Sequence, residues 1–460
     1  MTSLFGHSVR SEGLALYMAE AIVCFAVVYL LSASIGGPGS PNSLQAAGLA
    51  AILALSTGLA AAATGMHSPT GWRKARGLVT GTLLTALLLA PLAWMAVEFL
   101  NIGIGGGARN PSVAVILLSA AGTGVVLLTR LLFLFVSRTG LFTQPIAVLD
   151  GSGAALVRLP AAGPTAAAEP FRVALRLGGA TPPAGTSEPE SSIGLSAPAL
   201  RARGIRWVVA PEPGTVPAAL RESWSGSGIR LVDEVEFLER LSGRVDLDRL
   251  EPEWLETARG AHMRRFEAFV CRSFDIVVSL ALLLLTLPLT AMAALAIRLD
   301  SPGPIFYRQA RVGQGGRIIH LTKLRSMRAD AEAGGTPQWA TQRDPRVTRV
   351  GRFLRLTRID EIPQVLNVLK GDMAFIGPRP ERPAFVEQLS LLIPHYADRA
   401  VVKPGITGWA QVNFPYGASV DDARHKLTYD LYYVRRRSLF LDLLILVATV
   451  RVILFQEGSR

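Results

Sequence analysis

The sequence predicts a three-part chain: an α-helical membrane bundle over residues 1–140, a small Rossmann-like α/β module over 141–250, and a mainly α basic domain over 272–460. A linker at 251–271 leads into that domain, which opens with a re-entrant membrane helix at 273–297. Three observations carry this reading. Four long apolar stretches open the chain, a few strand-like runs follow, and positive charge gathers towards the end. Half of the 460 residues are hydrophobic and the mean hydropathy is +0.35, which argues against a purely soluble chain of this length.

The apolar stretches are 14–34, 44–65, 77–100 and 112–136, each long enough for the roughly 20 residues a helix needs to cross a bilayer. Arg73, Lys74 and Arg76 lie between the second and third, and Arg138 follows the fourth. The first connection, 36–42, is uncharged and the third carries only Arg109, so the positive-inside rule puts both ends of the bundle in the cytoplasm. The first stretch lacks the short apolar core and small-residue cleavage site of a signal peptide and is read as a retained helix. Small residues Gly58, Ala61, Ala62 and Ala63 suit helix packing within one chain or across a homodimer.

Strand-like runs at 145–149, 205–210 and 229–232 give the α/β module. The turn Gly151-Ser152-Gly153-Ala154-Ala155-Leu156 begins like a dinucleotide fingerprint, but Leu156 stands in place of the third glycine and no acidic residue closes a second strand near Arg176. The module is therefore expected to be degenerate and without cofactor. Residues 178–198, dense in Gly, Pro, Ser and Thr, read as a flexible excursion.

Roughly eleven of the formal +12 charges fall from His262 onward. Such a surface fits phosphate ligands or an anionic membrane face. Nucleic acid is disfavoured, because no aromatic platforms interleave the arginines. The two cysteines, Cys24 and Cys271, stand apart in apolar surroundings, and the six histidines show no zinc spacing, so neither a disulfide framework nor a zinc site is expected.

The apolar segment 273–297 could span a bilayer by length. Arg264, Arg265 and Arg272 precede it, Arg298, Arg308 and Arg311 follow it, and Pro288 lies past its middle. Basic flanks on both sides and a helix-breaking proline favour entry and exit by the cytoplasmic face. The alternative is a fifth span. Downstream, arginines recur at 343, 346, 349, 352, 355 and 358; on a helix, three-residue steps precess by about 60°, so these guanidiniums wind round the surface. The run ends in the adjacent carboxylates Asp360 and Glu361 followed by Ile362-Pro363-Gln364. A carboxylate beside arginines is expected to stay ionised, able to act as nucleophile, Mg²⁺ ligand or both. Arg379 and Arg382 sit in the Pro-stiffened stretch Gly377–Pro383, where guanidinium forks suit phosphate oxygens. Lys403–Gln411 is a second rigid loop.

Together these segments resemble the bacterial sugar transferase family, the polyprenyl-phosphate glycosylphosphotransferases of monotopic type. The resemblance runs from about Arg272 to the C-terminus through Phe274-Asp275, Gly303–Gly316, Lys323–Met327, Asp344–Arg355, Asp360–Met373, Gly377–Pro383 and Lys403–Val412. The run Phe237–Arg240 with Gly243–Val245 is similar to the link before the catalytic domain in large members. One departure is Leu287 before Pro288, where the family commonly has Ser-Pro; Thr286 stands nearby. The resemblance implies a monotopic phosphoglycosyl transferase domain at the cytoplasmic face of the bacterial inner membrane. It implies that Asp360 attacks the β-phosphate of a UDP-sugar, commonly UDP-glucose or UDP-galactose, with Mg²⁺ assisting. Undecaprenyl phosphate then takes the sugar phosphate, opening exopolysaccharide or O-antigen synthesis. Glu361 is assigned to orienting Asp360 and the metal. Arg311, Lys323, Arg325, Arg352, Arg355, Arg358, Gln364, Arg379 and Arg382 are assigned to substrate and phosphate. Residues 438–455, apolar but broken by Asp442 and Arg451, read as an interfacial helix. Two rivals stay open: a non-catalytic membrane regulator or scaffold of polysaccharide export, and a metal-dependent phosphatase on lipid diphosphates.

Overall fold

A computed structural model describes residues 2–4, 7–9, 11–34, 43–64, 66, 75–99, 111–137, 144–149, 171–177, 196–250, 252–258, 260, 262–263, 265–328, 331, 346–414, 417 and 419–455. The chain divides into two compact units, Met1–Ser242 and Gly243–Arg460. The degenerate fingerprint at 151–156, most of the 178–198 excursion, and Arg73, Lys74, Arg109, Arg138, Arg264 and Arg343 lie outside the described residues.

The first unit opens with a small hairpin, β1 (Thr2–Leu4) and β2 (His7–Val9), and continues with helices α1 (Ser11–Ser34), α2 (Ser43–Ala63), α3 (Ala75–Phe99) and α4 (Pro111–Ser137). These follow the four apolar stretches to within a few residues. Their apolar composition allows helix on every face, so the shared core of Leu49, Leu53, Leu89, Ala93, Leu118 and Val125 coexists with outward leucines such as Leu83, Leu87 and Leu128, the pattern of a bundle in apolar solvent. Three described stretches here, Ser43–Ala63, Leu78–Glu98 and Val115–Phe133, are long and apolar enough to cross a membrane. A Cβ on Gly58 would meet the Tyr17 ring at 2.7 Å and Ala61 is fully buried, so these small residues close α1 on α2 within the chain. The sequence reading did not foresee the ion pair of Glu20 on α1 with Arg130 on α4, 2.8 Å apart and almost wholly buried. Arg130 Nε also donates to the Met66 carbonyl at 2.7 Å, satisfying a charge that would otherwise be costly in the bundle.

Strands β3 (Gln144–Leu149), β4 (Phe171–Leu177), β5 (Trp207–Ala210) and β6 (Arg230–Asp233) form a parallel sheet in the order β4-β3-β5-β6. Helices α5 (Ala197–Ala202), α6 (Ala218–Gly226) and α7 (Glu234–Ser242) accompany it. Apolar residues on both faces are buried, Ala147, Val208 and Ala210 in one cluster and Ile146, Val209 and Phe237 in another, as all-parallel strands require.

The second unit begins earlier than a boundary at 272 implies. Val245, Leu247, Trp254 on the one-turn helix α8 (Trp254–Thr257), and Ala258 belong to its main core with Phe375, Leu389, Tyr396, Leu431 and Tyr433. Backbone bonds from Val245 to Thr428 (3.0 Å) and from Gly260 to Val434 (2.8 Å) tie this strap down. The residues assigned to the end of the α/β module and to a linker are therefore built into the domain that follows.

Next comes α9 (Arg265–Asp300), a 36-residue helix containing Pro288, then the antiparallel hairpin β7 (Phe306–Val312) and β8 (Ile318–Leu324). Helix α10 (Arg349–Thr357), a 3-10 turn at Ile359–Gln364, α11 (Val365–Lys370), β9 (Ala374–Ile376), α12 (Pro383–Leu392), a 3-10 turn at Tyr396–Val401, β10 (Gly405–Thr407), α13 (Trp409–Asn413), α14 (Val420–Arg436) and α15 (Leu439–Phe455) complete it. β9 and β10 pair in parallel. Both ends of α9 rest on this unit. Arg272 donates to the Val368 and Leu369 carbonyls of α11 at 2.6 and 2.8 Å, and the Asp300 carboxylate accepts from the Val350 amide of α10 at 3.3 Å. Residues 280–292 between them contain no buried position. The Thr286 hydroxyl donates to the Leu282 carbonyl at 2.7 Å.

Candidate active site

The arginine-rich run is a helix over only part of its length. Thr348 caps α10 by accepting from the Gly351 amide at 2.9 Å, and Arg358 ends it in the left-handed region at φ 60°. The expected winding of arginines along one helix is thus cut short, with Arg346 before the cap and Arg358 beyond the end. Gly351 lies so close to the Ser326 backbone that a Cβ would collide with it; glycine lets α10 cross there. The left-handed turn at Arg358 redirects the chain into the 3-10 turn that carries Asp360 and Glu361.

Glu361 is the hub of the site. Its Oε1 accepts from Lys323 Nζ of β8 at 2.9 Å and from Arg379 Nη2 at 2.6 Å, and its Oε2 accepts from Arg379 Nη1 at 3.4 Å. Arg358 Nη1 lies 3.9 Å from Oε2. Burial alone would raise the Glu361 carboxyl, but Arg379 and Lys323 beside it hold it well below the usual carboxylate range. Burial pushes the Lys323 ammonium down, and Glu361 opposes that shift. Asp360 is 7% exposed. Burial first, and then the neighbouring Glu361 charge, push its carboxyl up to about 6, while Lys323, Arg355 and Arg379 pull the other way. At neutral pH this carboxyl is still mostly ionised, but desolvation outweighs the neighbouring cations and leaves it a weaker acid than a free aspartate. Two adjacent carboxylates are thus driven apart in acidity, one fixed as a structural anion and one poised near neutrality.

The Gly377–Pro383 loop is held from two sides. Arg311 Nη1 on β7 donates to the Pro380 carbonyl at 3.0 Å and lies 3.6 Å from Glu381, and the Val312 amide donates to the Glu381 carbonyl at 2.9 Å. From the other side Arg399 Nη2 donates to the Arg379 carbonyl at 3.0 Å and to Asp430 at 2.6 Å. Arg382 opens α12, its carbonyl accepting from the Phe385 and Val386 amides at 3.0 Å each. A small cavity behind the loop is lined by Gly313, Arg379, Glu381 and Arg399 among others.

Of the residues assigned from the sequence, Lys323, Arg358 and Arg379 converge on Glu361, Arg355 contributes to the field at Asp360, and Arg311 braces the Gly377–Pro383 loop. Arg325 does otherwise. It donates to the Ser301 carbonyl at 2.7 Å, the Ser301 hydroxyl at 3.0 Å and the Pro302 carbonyl, fastening the turn after α9. Arg352 is exposed on α10. Gln364 is buried, and its Nε2 has no hydrogen-bond partner among the described residues. Sequence reasoning missed Asn367 on α11. Its side chain accepts from the Thr322 amide at 3.0 Å and donates to the His320 carbonyl at 2.8 Å, imitating a strand partner along β8 and fixing where Lys323 stands. A polar residue in the apolar run Val365–Leu369 was the available signal. Arg399 and Asp430 were also missed; 31 residues separate them.

Among the described residues no group of three or more His, Cys, Asp or Glu could hold a metal. Asp360 and Glu361 offer two carboxylates, a set that fits Mg²⁺, which commonly takes one or two carboxylates together with substrate phosphates.

Fold and site define a membrane-associated protein whose basic domain holds a buried carboxylate pair among cations, a chemistry suited to phosphoryl groups. The model of the family described as bacterial sugar transferase matches residues 266–456. The chain is 46% identical over 225 residues to the UDP-N-acetylgalactosamine-undecaprenyl-phosphate N-acetylgalactosaminephosphotransferase of Aeromonas hydrophila, covering 49% of this chain and 52% of that one. It is 45% identical over 174 residues to the UDP-glucose:undecaprenyl-phosphate glucose-1-phosphate transferase of Xanthomonas campestris pv. campestris, covering 37% and 36%. The exopolysaccharide production protein PSS of Rhizobium leguminosarum bv. phaseoli is 41% identical over 185 residues, 39% of this chain and 92% of that one. The chain belongs to the bacterial sugar transferase family. Its match spans about half or less of the first two relatives.

Proposed function

We propose that the protein transfers a sugar 1-phosphate from a UDP-sugar to undecaprenyl phosphate at the cytoplasmic face of the membrane. The observation that carries this is the buried Asp360 carboxylate, held beside a Glu361 clamped by Lys323 and Arg379. The Asp360 carboxylate oxygen attacks the β-phosphorus of the donor, the bond from that phosphorus to the bridging oxygen breaks, and UMP leaves with that oxygen. An oxygen of undecaprenyl phosphate then attacks the same phosphorus and releases the carboxylate, giving the diphosphate-linked sugar lipid. Splitting the displacement lets a soluble donor and a lipid acceptor use one site in turn.

Lys323 and Arg379 place positive charge beside the reacting diphosphate without reorganisation. Glu361 fixes their positions and raises the basicity of Asp360, strengthening the nucleophile. Mg²⁺ held by Asp360 and Glu361 would supply further neutralisation of the diphosphate. The relatives' printed names make UDP-glucose and UDP-N-acetylgalactosamine the first donors to screen, with UDP-galactose next; the product class suits the first membrane step of exopolysaccharide or O-antigen assembly. Repeated turnover of UMP that requires undecaprenyl phosphate, with no more than about one equivalent per enzyme released in its absence, tests the reading. Release of inorganic phosphate from lipid diphosphates without UMP would support the phosphatase instead.

The attacking form is the ionised one, so the rate is expected to rise with pH through about 6, the value to which Asp360 is pushed, and to be roughly tenfold lower at pH 5 than on the plateau. UMP release measured from pH 5 to 8 checks this; a flat profile contradicts it.

The re-entrant course of α9 belongs to the same reading. Arg272 and Asp300 both anchor to the domain that carries Asp360, and the exposed middle with Pro288 is left to enter the bilayer. Arg265→Cys and Arg308→Cys are expected to label from the same, cytoplasmic side of sealed vesicles. Labelling from opposite sides would establish a full span.

A further inference from the structure

We infer that Trp254, upstream of the residues matched by the family model, is a positioning residue for the phosphate loop, acting through Asp398 and Arg399. This deepens the proposed transferase reading and rests on it for its kinetic part. The Trp254 indole is buried, and its Nε1 donates to Asp398 Oδ2 at 3.1 Å. The same oxygen lies 2.9 Å from His395 Nδ1, and His395 adopts the left-handed region at φ 62°, a conformation that a non-glycine residue holds only with support. Asp398 thus fastens the start of the 3-10 turn Tyr396–Val401 to the strap. The next residue is Arg399.

Arg399 carries the effect onward. Its guanidinium donates to Asp430 at 2.6 Å, to the Tyr396 hydroxyl at 3.2 Å and to the Arg379 carbonyl at 3.0 Å, and it lies 5.4 Å from the Tyr396 ring centroid. A guanidinium bonded to three partners tolerates little displacement. Arg379, whose carbonyl it holds, reaches Glu361 with its own guanidinium at 2.6 Å. From strap to dyad the path is therefore a chain of hydrogen bonds: Trp254 to Asp398, the adjacent Arg399 to the Arg379 backbone, and the Arg379 side chain to Glu361. Gln314 Nε2, donating to the Val401 carbonyl at 3.0 Å, closes the far end of the same turn. The strap lies outside residues 266–456, yet it fixes a residue of the clamp inside them.

Three substitutions in the full-length chain, alone and combined, test this. Trp254→Phe keeps an aromatic ring in the core and removes the N–H, and Asp398→Ala removes the acceptor from the other side. Trp254→Phe is expected to lower turnover about tenfold, the weight of one hydrogen bond to a charged acceptor; Asp398→Ala, which also releases His395, is expected to lose at least as much, and the two together to do little more than Asp398→Ala alone. Combined with Arg379→Lys, Trp254→Phe is expected to cost less than about twofold, because the group it positions is gone. Losses that multiply in that background would mean general destabilisation and would overturn the inference. A second measurement needs no activity: in Trp254→Phe, amide hydrogen exchange over 377–383 is expected to quicken while β7 and β8 stay unchanged. Unchanged exchange over 377–383 overturns the inference. Quickened exchange in a chain that releases no UMP from any donor would support the coupling and sink the transferase reading instead.

Discussion

Asp360→Asn is expected to lose sugar-phosphate transfer by about a thousandfold or more while binding the donor nearly as before, since removing an attacking group acts on the chemical step. The same variant is expected to be more stable at neutral pH. The sign follows from the raised pKa: the folded state binds the Asp360 proton at about 6 and the unfolded chain near 3.8. Stability contributed by this group therefore falls as pH rises from about 4 to 6 and stays reduced above that. A shift of about two units corresponds to roughly 3 kcal/mol at most, and a neutral isostere recovers part of it. Thermal unfolding beside UMP release checks both halves. An Asp360→Asn protein that is inactive and less stable would point to a structural carboxylate; one that is active would remove Asp360 from the chemistry.

Glu361→Gln is expected to harm stability and activity together, because it leaves Lys323 and Arg379 partly buried without their counter-charge. Breaking one side of a buried pair costs about 3–5 kcal/mol. It is also expected to move the midpoint of the pH–rate profile below that of the parent, since the Glu361 charge is the second largest cause raising Asp360. Residual turnover with a lowered midpoint separates an orienting Glu361 from a nucleophilic one. A midpoint that rises or stays put contradicts the assigned roles.

These residues were legible in the sequence to different depths, and the reason is distance along the chain. Asp360, Glu361, Arg379 and the four N-terminal helices show themselves in local runs, where composition and spacing suffice. Strands β3, β5 and β6 showed themselves as local strand-like runs for the same reason. The clamp did not, because Lys323 and Glu361 lie 38 positions apart and Trp254 and Asp398 lie 144 apart. The strap was divided between the α/β module and a linker, since its charged residues mask four apolar side chains at irregular spacing. Arg325, assigned to phosphate from its place beside a motif, also fastens the backbone turn after α9, a contact with Ser301 that the sequence does not display. The raised pKa of Asp360 was not legible, because the sequence displays neighbouring charges and hides burial.

The most direct test of the central claim is the intact mass of the protein after incubation with a UDP-sugar and Mg²⁺ in the absence of undecaprenyl phosphate. A gain of one sugar phosphate, mapped to the peptide containing Asp360, lost on adding undecaprenyl phosphate and never formed by Asp360→Asn, is the predicted result. An unmodified protein that still releases UMP only when donor and lipid acceptor are present together would contradict it, and would mean that the lipid phosphate attacks the donor directly.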